Sequence, residues 1–283
     1  MIQKNILLIG SSGQLGSSLI QALLQLKKYK VIEGHKKKIS LININNLENK
    51  IKKIKPLVII NCSAFTDVDL CEKKKNLAKK LNFYCIKKLA RICYKNNIKL
   101  IHFSTDYVYG SKRAYYKETD HCQPLNYYGK TKYLGDRSII NANIKFLIFR
   151  ISFLLSNHHK SFVYKIKKQL IINKKCKVIS NSYTSPTTVQ FISKFFIYNF
   201  SKIINDQITG VFNLRNSQVV SYYQVAKQIQ KYLHKKNLIS ECNYDEFQTI
   251  AKRPKYSKLN ISKLKKYFKI PSNDWKKEIK NFL

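Results

Sequence analysis

The chain has 283 residues, 44% of them hydrophobic, which is enough for a sizeable core in one large domain or two intimate ones. The formal net charge is +39, but lysine is scattered with Asn and Ile along the whole length, so the surplus reads as compositional drift rather than a nucleic-acid stripe. The longest apolar run, "FLIFRISFLL" at 146–155, is short and carries Arg150, which excludes a bilayer span.

In chain order, "NILLIG" predicts a buried strand, and a glycine-rich turn follows it. Leu15, Leu19, Leu23 and Leu26 then recur at helical spacing. "KVIEG" predicts a second strand, and 45–55 a helix that ends before Pro56. "PLVIINCSA" predicts a third strand, and 75–95 a helix with Leu77, Leu81, Ile86, Leu89 and Ile92 on one face. "KLIHFST", a helix over 126–140 and "IKFLIFRIS" continue the alternation. Continuous apolar strands separated by helices imply an α/β fold, a Rossmann-like doubly wound parallel sheet.

Beyond 155 the alternation weakens. "SFVYKIKKQLII" predicts a helix, "CKVIS" a strand, 187–204 an apolar helix, "GVFNLRN" a strand and 221–235 a helix. The last 40 residues read as a polar, irregular lid. The expected organisation is a dinucleotide-binding domain over 1–150, joined by about 178–215, with 151–283 forming mainly a smaller substrate-binding α/β lobe.

"GSSGQLG" places Gly10, Gly13 and Gly16 between a predicted strand and a predicted helix. Glycine permits a tight turn and close backbone approach to a pyrophosphate, and the helix N-terminus presents N–H groups to the anion. After the second strand come His35 and Lys36, basic residues that suit a ribose 2′-phosphate, so NADPH is favoured over NADH. In "YYGKTKYLG", Tyr128 and Lys132 lie four apart on the predicted helix and share a face. A nearby ammonium favours the phenolate of a tyrosine whose ordinary pKa, near 10, is too high for ready proton exchange. Thr105, at the carboxyl end of the "HFST" strand, is placed to hydrogen-bond the same carbonyl oxygen. Tyr128, Lys132 and Thr105 are thus the candidate catalytic residues, with hydride chemistry left to the cofactor.

Almost end to end, the sequence resembles the dTDP-4-dehydrorhamnose reductase family of extended short-chain dehydrogenases/reductases. The shared stretches are "GSSGQLG", "VIINCSAFTDVDLCE", "LIHFSTDYVYG", "PLNYYGKTKYLGD", "FRISFLL", "SYTSPT" and "RPKYSKLN". The resemblance implies reduction of the 4-keto group of dTDP-6-deoxy-L-lyxo-4-hexulose to dTDP-L-rhamnose with NADPH or NADH. It implies pyrophosphate contacts from Gly13, Gln14 and Leu15, and a cofactor groove lined by Ala64, Phe65 and Thr66. Thr105 and Asp106 would face the sugar, Tyr128 would donate the proton and Lys132 would hold the cofactor ribose. Phe153 and the region around Arg253 would hold the substrate.

Several positions depart from the family pattern. Phe153 replaces a tryptophan, Phe65 a His or Tyr, and Ser40-Leu41 the acid–apolar pair beside the adenine; Phe83 follows Asn82 where a small residue is usual. Ser18 stands where some members carry a glutamate that helps bind Mg²⁺ at a dimer interface, and the loss of that hard ligand argues against a metal.

No signal peptide is expected, and seven cysteines without CxxC spacing suit a reducing cytoplasm. The expected partner is the dTDP-keto-sugar, with neither membrane nor specific nucleic acid, and a second copy of the chain, as a homodimer, is a further candidate. The competing readings are a non-catalytic regulatory subunit of the same fold, another nucleotide-sugar reductase or epimerase, and a nucleic-acid binder suggested by charge alone.

Overall fold

The computed structural model describes residues 3–34, 39, 41–216 and 218–283. The first half alternates strand and helix: β1 (Lys4–Ile9), α1 (Gln14–Leu24), β2 (Tyr29–Gly34), α2 (Ile44–Ile54) and β3 (Val58–Asn61). A short helix, α3 (Val68–Lys73), precedes α4 (Lys75–Lys79), a π-helical turn at Lys80–Tyr84, and α5 (Cys85–Lys95). Then come β4 (Lys99–Thr105), α6 (Tyr127–Ile140) and β5 (Phe146–Ile151).

The second half is more broken. It runs β6 (Leu154–Leu155), α7 (Phe162–Ile171), β7 (Cys176–Ile179), β8 (Tyr183–Thr184), β9 (Thr187–Thr188), α8 (Val189–Ile204) and β10 (Gly210–Leu214). β11 (Val220–Ser221), α9 (Tyr222–Tyr232), β12 (Ile239–Cys242), β13 (Tyr256–Ser257), α10 (Ser262–Tyr267) and α11 (Trp275–Lys280) complete it.

A six-stranded sheet in the order β10-β5-β4-β3-β1-β2 forms the frame, and every pairing in it is parallel. The inner strands β1, β3, β4 and β5 are largely buried on both faces, which is why they read as apolar runs, whereas the edge strand β2 exposes Lys30 and Glu33. Ile6 and Leu8 of β1 point into a core shared with α1, α7 and α8, while Leu7 and Ile9 point into one shared with α2 and α5. The chain runs from β1 outward to β2 and then crosses to β3 on the other side. That reversal opens a crevice above the carboxyl ends of β1 and β3.

The predicted strand "GVFNLRN" is the sheet edge β10, paired with β5. The predicted "CKVIS" strand forms outside this sheet, as β7 paired with β12. The predicted 75–95 helix is real but carries the π-helical turn, and α3 before it was not anticipated. The last 40 residues differ most from expectation. They carry α10 and α11, and Leu264, Phe268, Trp275, Ile279 and Phe282 join the core under α8 and β10. Their many lysines disguise an apolar stripe of helical spacing.

Candidate active site

At the β1–α1 turn, Gly10 has φ +84°, a region closed to most side chains. A Cβ on Gly16 would overlap the Gly10 carbonyl, so the first turn of α1 sits against the loop as no other residue would permit. Gly13 caps α1 without any side-chain hydrogen bond, leaving the first backbone N–H groups of the helix to face the crevice. Gln14 donates from Nε2 to the Leu154 carbonyl at 2.9 Å, tying this turn to β6.

The opposite wall comes from β4 and α6. Asn126 caps α6, accepting the Gly129 N–H at 2.8 Å. A Cβ on Gly129 would overlap the Tyr107 carbonyl, so the glycine inside "YYGKTK" lets α6 press on the end of β4. This close approach sets Tyr128 beside Thr105. The Thr105 hydroxyl accepts the Tyr107 N–H at 3.2 Å and donates to Asp106 Oδ1 at 3.0 Å.

A cavity of about 640 Å³ runs between these walls. It is lined by Gly10, Gly13, Gln14 and Leu15 at one end and by Thr105, Asp106, Tyr128, Lys132 and Phe153 at the other. Ala64 and Thr66 line it as well. These residues, singled out from the sequence, thus line one crevice. Gly16 acts from behind by shaping the turn. Leu41 is buried in the core under α2 and α5. Phe65 is outside the lining, its backbone clamped by Asn82 of the π-helical turn through the Phe65 N–H at 2.8 Å and carbonyl at 3.0 Å. Arg253 sits beyond the lining too, in a two-bond pair with Asp69 at 2.7 and 3.2 Å. His35, Lys36 and Ser40 lie outside the described residues.

Electrostatics differ from the expected tuning. Burial raises the Tyr128 phenol, the Thr105 hydroxyl opposes this, and the nearby Asp106 raises it further. The lysine Nζ donates to the Phe103 carbonyl at 2.8 Å and lies 3.0 Å from His102 Nε2. Burial lowers it to about 8. Asp106 is lifted by burial to about 7 although Ser152 and Thr105 bond its carboxylate. Ser152 donates at 2.7 Å and Ser257 of β13 donates to the same oxygen. This acid therefore joins β4, β5 and β13 instead of pointing freely at a ligand.

Phe153 has φ +39°, an uncommon conformation for a bulky residue and one met at functional sites. Its ring packs on Tyr222 at 4.4 Å and Phe162 at 5.3 Å, forming an aromatic end wall. Tyr222, Phe162 and the His158–His159–Lys160 loop also line the cavity and were not anticipated; they lie where the alternation of elements had weakened. His102 was also missed, though a histidine inside a continuous apolar strand is a visible anomaly.

Ser18 spends its hydroxyl on Ser193 of α8, 2.8 Å away. Among the described residues no group of three or more His, Cys, Asp or Glu side chains is placed to hold a metal. Nor, among them, is any helix long and apolar enough to cross a membrane.

A crevice at the switch point of a parallel sheet, with a glycine turn facing a Tyr–x₃–Lys helix, is the architecture of the extended short-chain dehydrogenases and reductases. The family model for the RmlD substrate binding domain matches residues 4–283, and the chain belongs to this family, that of the dTDP-4-dehydrorhamnose reductases. It is 32% identical over 286 residues to the dTDP-4-dehydrorhamnose reductase of Aggregatibacter actinomycetemcomitans, covering 98% of this chain and 97% of that one. The solved dTDP-4-dehydrorhamnose reductase of Clostridium acetobutylicum superposes with a TM-score of 0.91 at 29% identity, covering 98% of both chains. That of Bacillus anthracis, solved in complex with NADP, gives 0.90 at 28% identity and 99% coverage of both.

Proposed function

We propose that the chain reduces the 4-keto group of dTDP-6-deoxy-L-lyxo-4-hexulose to dTDP-L-rhamnose, with NADPH as hydride donor. The observation that carries this reading is the single cavity joining an uncapped, glycine-built helix N-terminus to Thr105, Tyr128 and Lys132. The first is a cradle for pyrophosphate and the second a place for a carbonyl to be protonated. The donor set fits a dinucleotide, because the turn offers backbone N–H groups and no acid to repel phosphate.

When bound, the nicotinamide supplies the hydride. Gly10, Gly13, Gln14 and Leu15 hold the pyrophosphate, and Ala64 and Thr66 flank the path toward the reacting end. Thr105 positions the substrate carbonyl. Tyr128, kept protonated by burial, gives its proton to the oxygen that becomes the new hydroxyl. Lys132 holds the cofactor ribose and stabilises the resulting phenolate. Phe153, with Tyr222 and Phe162 behind it, forms an apolar face for the sugar. Arg253 closes the substrate lobe, 151–283, against α3 through Asp69.

The test is direct. Purified protein mixed with the dTDP-keto-sugar and NADPH loses nicotinamide absorbance stoichiometrically with the hydroxyl product; no loss with either NADPH or NADH overturns the proposal.

A further inference from the structure

We propose that Asp69 of α3 is a positioning residue for the substrate: it takes one fork of the Arg253 guanidinium and so presents the other, Nε–H with Nη2–H, to the diphosphate of the sugar nucleotide.

A guanidinium carries five N–H groups in a fixed plane. In Arg253 three of them are spent. Nη1 donates to Asp69 Oδ1 and to the Ala251 carbonyl, each at 3.2 Å, and Nη2 donates to Asp69 Oδ2 at 2.7 Å. The two that remain, on Nε and Nη2, lie side by side on one edge of the plane. Among the described residues no acceptor takes either of them. Two parallel donors on one edge match two oxygens of a phosphoryl group, just as the other edge matches the carboxylate. The Arg253 side chain keeps 26% exposure, so a ligand can reach it.

The backbone around Arg253 is held without the ion pair. Asn126 Nδ2 donates to the Lys252 carbonyl at 2.8 Å, and the Tyr244 hydroxyl donates to the Arg253 carbonyl. What Asp69 adds is the direction of the guanidinium. The carboxylate is itself fixed by the Ala251 N–H at 2.9 Å, and its hydrogen bonds with Arg253 hold it below the usual carboxylate range.

The location suits a diphosphate. Val68, next to Asp69, lines the crevice, as do Tyr107 and Tyr222. Burial dominates both phenols, and Arg253 is near enough for its charge to act against that burial. Tyr222 packs at 4.4 Å on Phe153, the aromatic wall for the sugar. In a sugar nucleotide the diphosphate is bonded to the sugar itself, so it belongs beside that wall. The glycine turn serves the pyrophosphate of the dinucleotide, which leaves the substrate needing a second anion site.

The identity of the ligand rests on the reductase reading, but the test reads binding rather than turnover. The full chain, saturated with NADP⁺, is titrated with dTDP in a calorimeter. Arg253→Lys keeps the charge and loses the fork, and raises the dTDP Kd about tenfold or more. Asp69→Asn can still accept the Ala251 N–H but loses the ion pair, and raises it about fivefold or more. The double variant binds within about twofold of Arg253→Lys alone, because Asp69 acts through Arg253. NADP⁺ affinity stays within about twofold in all three, which checks the fold; Asp69→Ser carries the test if Asp69→Asn fails that check. In turnover, Asp69→Asn raises KM for the sugar nucleotide by the same factor and leaves kcat within about twofold. Unchanged dTDP affinity in Arg253→Lys or in Asp69→Asn, additive losses in the double variant, or tighter dTDP binding by Asp69→Asn would overturn the proposal, as would a wild type that does not bind dTDP. Kd values separated as stated, without keto-sugar reduction by the wild type, would instead overturn the reaction assigned and leave the role of Asp69 standing.

Discussion

The two ends of the crevice are built on opposite principles. At the glycine turn everything is backbone: Gly10, Gly13 and Gly16 contribute by lacking side chains, and a seven-residue string suffices to make the shape. At the closed end everything is side chain. Tyr128, Lys132, Thr105 and His102 come from α6 and β4 and Asp106 from the turn just after β4, and burial with partners as distant in sequence as Ser152 sets the proton affinities of the acid and the lysine. Anion binding needs geometry that local sequence can encode, whereas acid–base chemistry needs an environment that only packing supplies.

The largest expected effect falls at the closed end. Tyr128→Phe removes the proton and lowers kcat by about 10²–10⁴-fold, as loss of a general acid does. Dinucleotide affinity, read by nicotinamide fluorescence, stays within about threefold, because the turn is untouched. Normal turnover in this variant would break the contrast and revive a non-catalytic role.

The reciprocal change is Gly16→Val. Its side chain meets the Gly10 carbonyl, so destabilisation of about 1–3 kcal/mol is expected from overpacking. Dinucleotide Kd should rise about tenfold or more while kcat at saturation is retained, because the closed end is intact. Thermal melts and a binding titration check both arms.

Asp106→Asn sharpens the comparison through pH. Burial raises the folded-state pKa of this acid to about 7, against roughly 3.9 for a free aspartate. The folded form holds a proton there that the unfolded chain releases, so wild-type stability falls as pH rises between these values. Above pH 7 the variant should therefore melt a few degrees higher than wild type, by roughly 2–4 °C, with the advantage vanishing toward pH 4. A Tm difference independent of pH would contradict this account of Asp106. The smallest effect is expected from Phe153→Trp. Its indole N–H adds a donor on the aromatic end wall, and KM for the sugar nucleotide should fall about two- to threefold with kcat unchanged, measured by initial rates.

Much of this was legible because it is local. Buried strands announce themselves as apolar runs, and "GSSGQLG" between a strand and a helix reads as a phosphate turn without any knowledge of the rest. The Tyr128–Lys132 spacing follows from the helical repeat alone. The C-terminal 40 residues were misread because scattered lysines mask Leu264, Phe268, Trp275 and Ile279, whose burial depends on a core assembled elsewhere.

What sequence by itself determined, then, is the order of the main strands and helices as far as β5, the parallel sheet and the residues that line one crevice, since each rests on periodicity or on short-range backbone geometry. Tertiary structure alone decided that Lys132 reaches Phe103 and His102 of β4, that Asp106 is bonded by the hydroxyls of Ser152, just past β5, and of Ser257 in β13, and that Tyr222 backs Phe153. These are contacts between strands and helices far apart in the chain. They exist once the sheet has brought its carboxyl ends together, and the low dielectric made by that packing gives the groups their proton affinities.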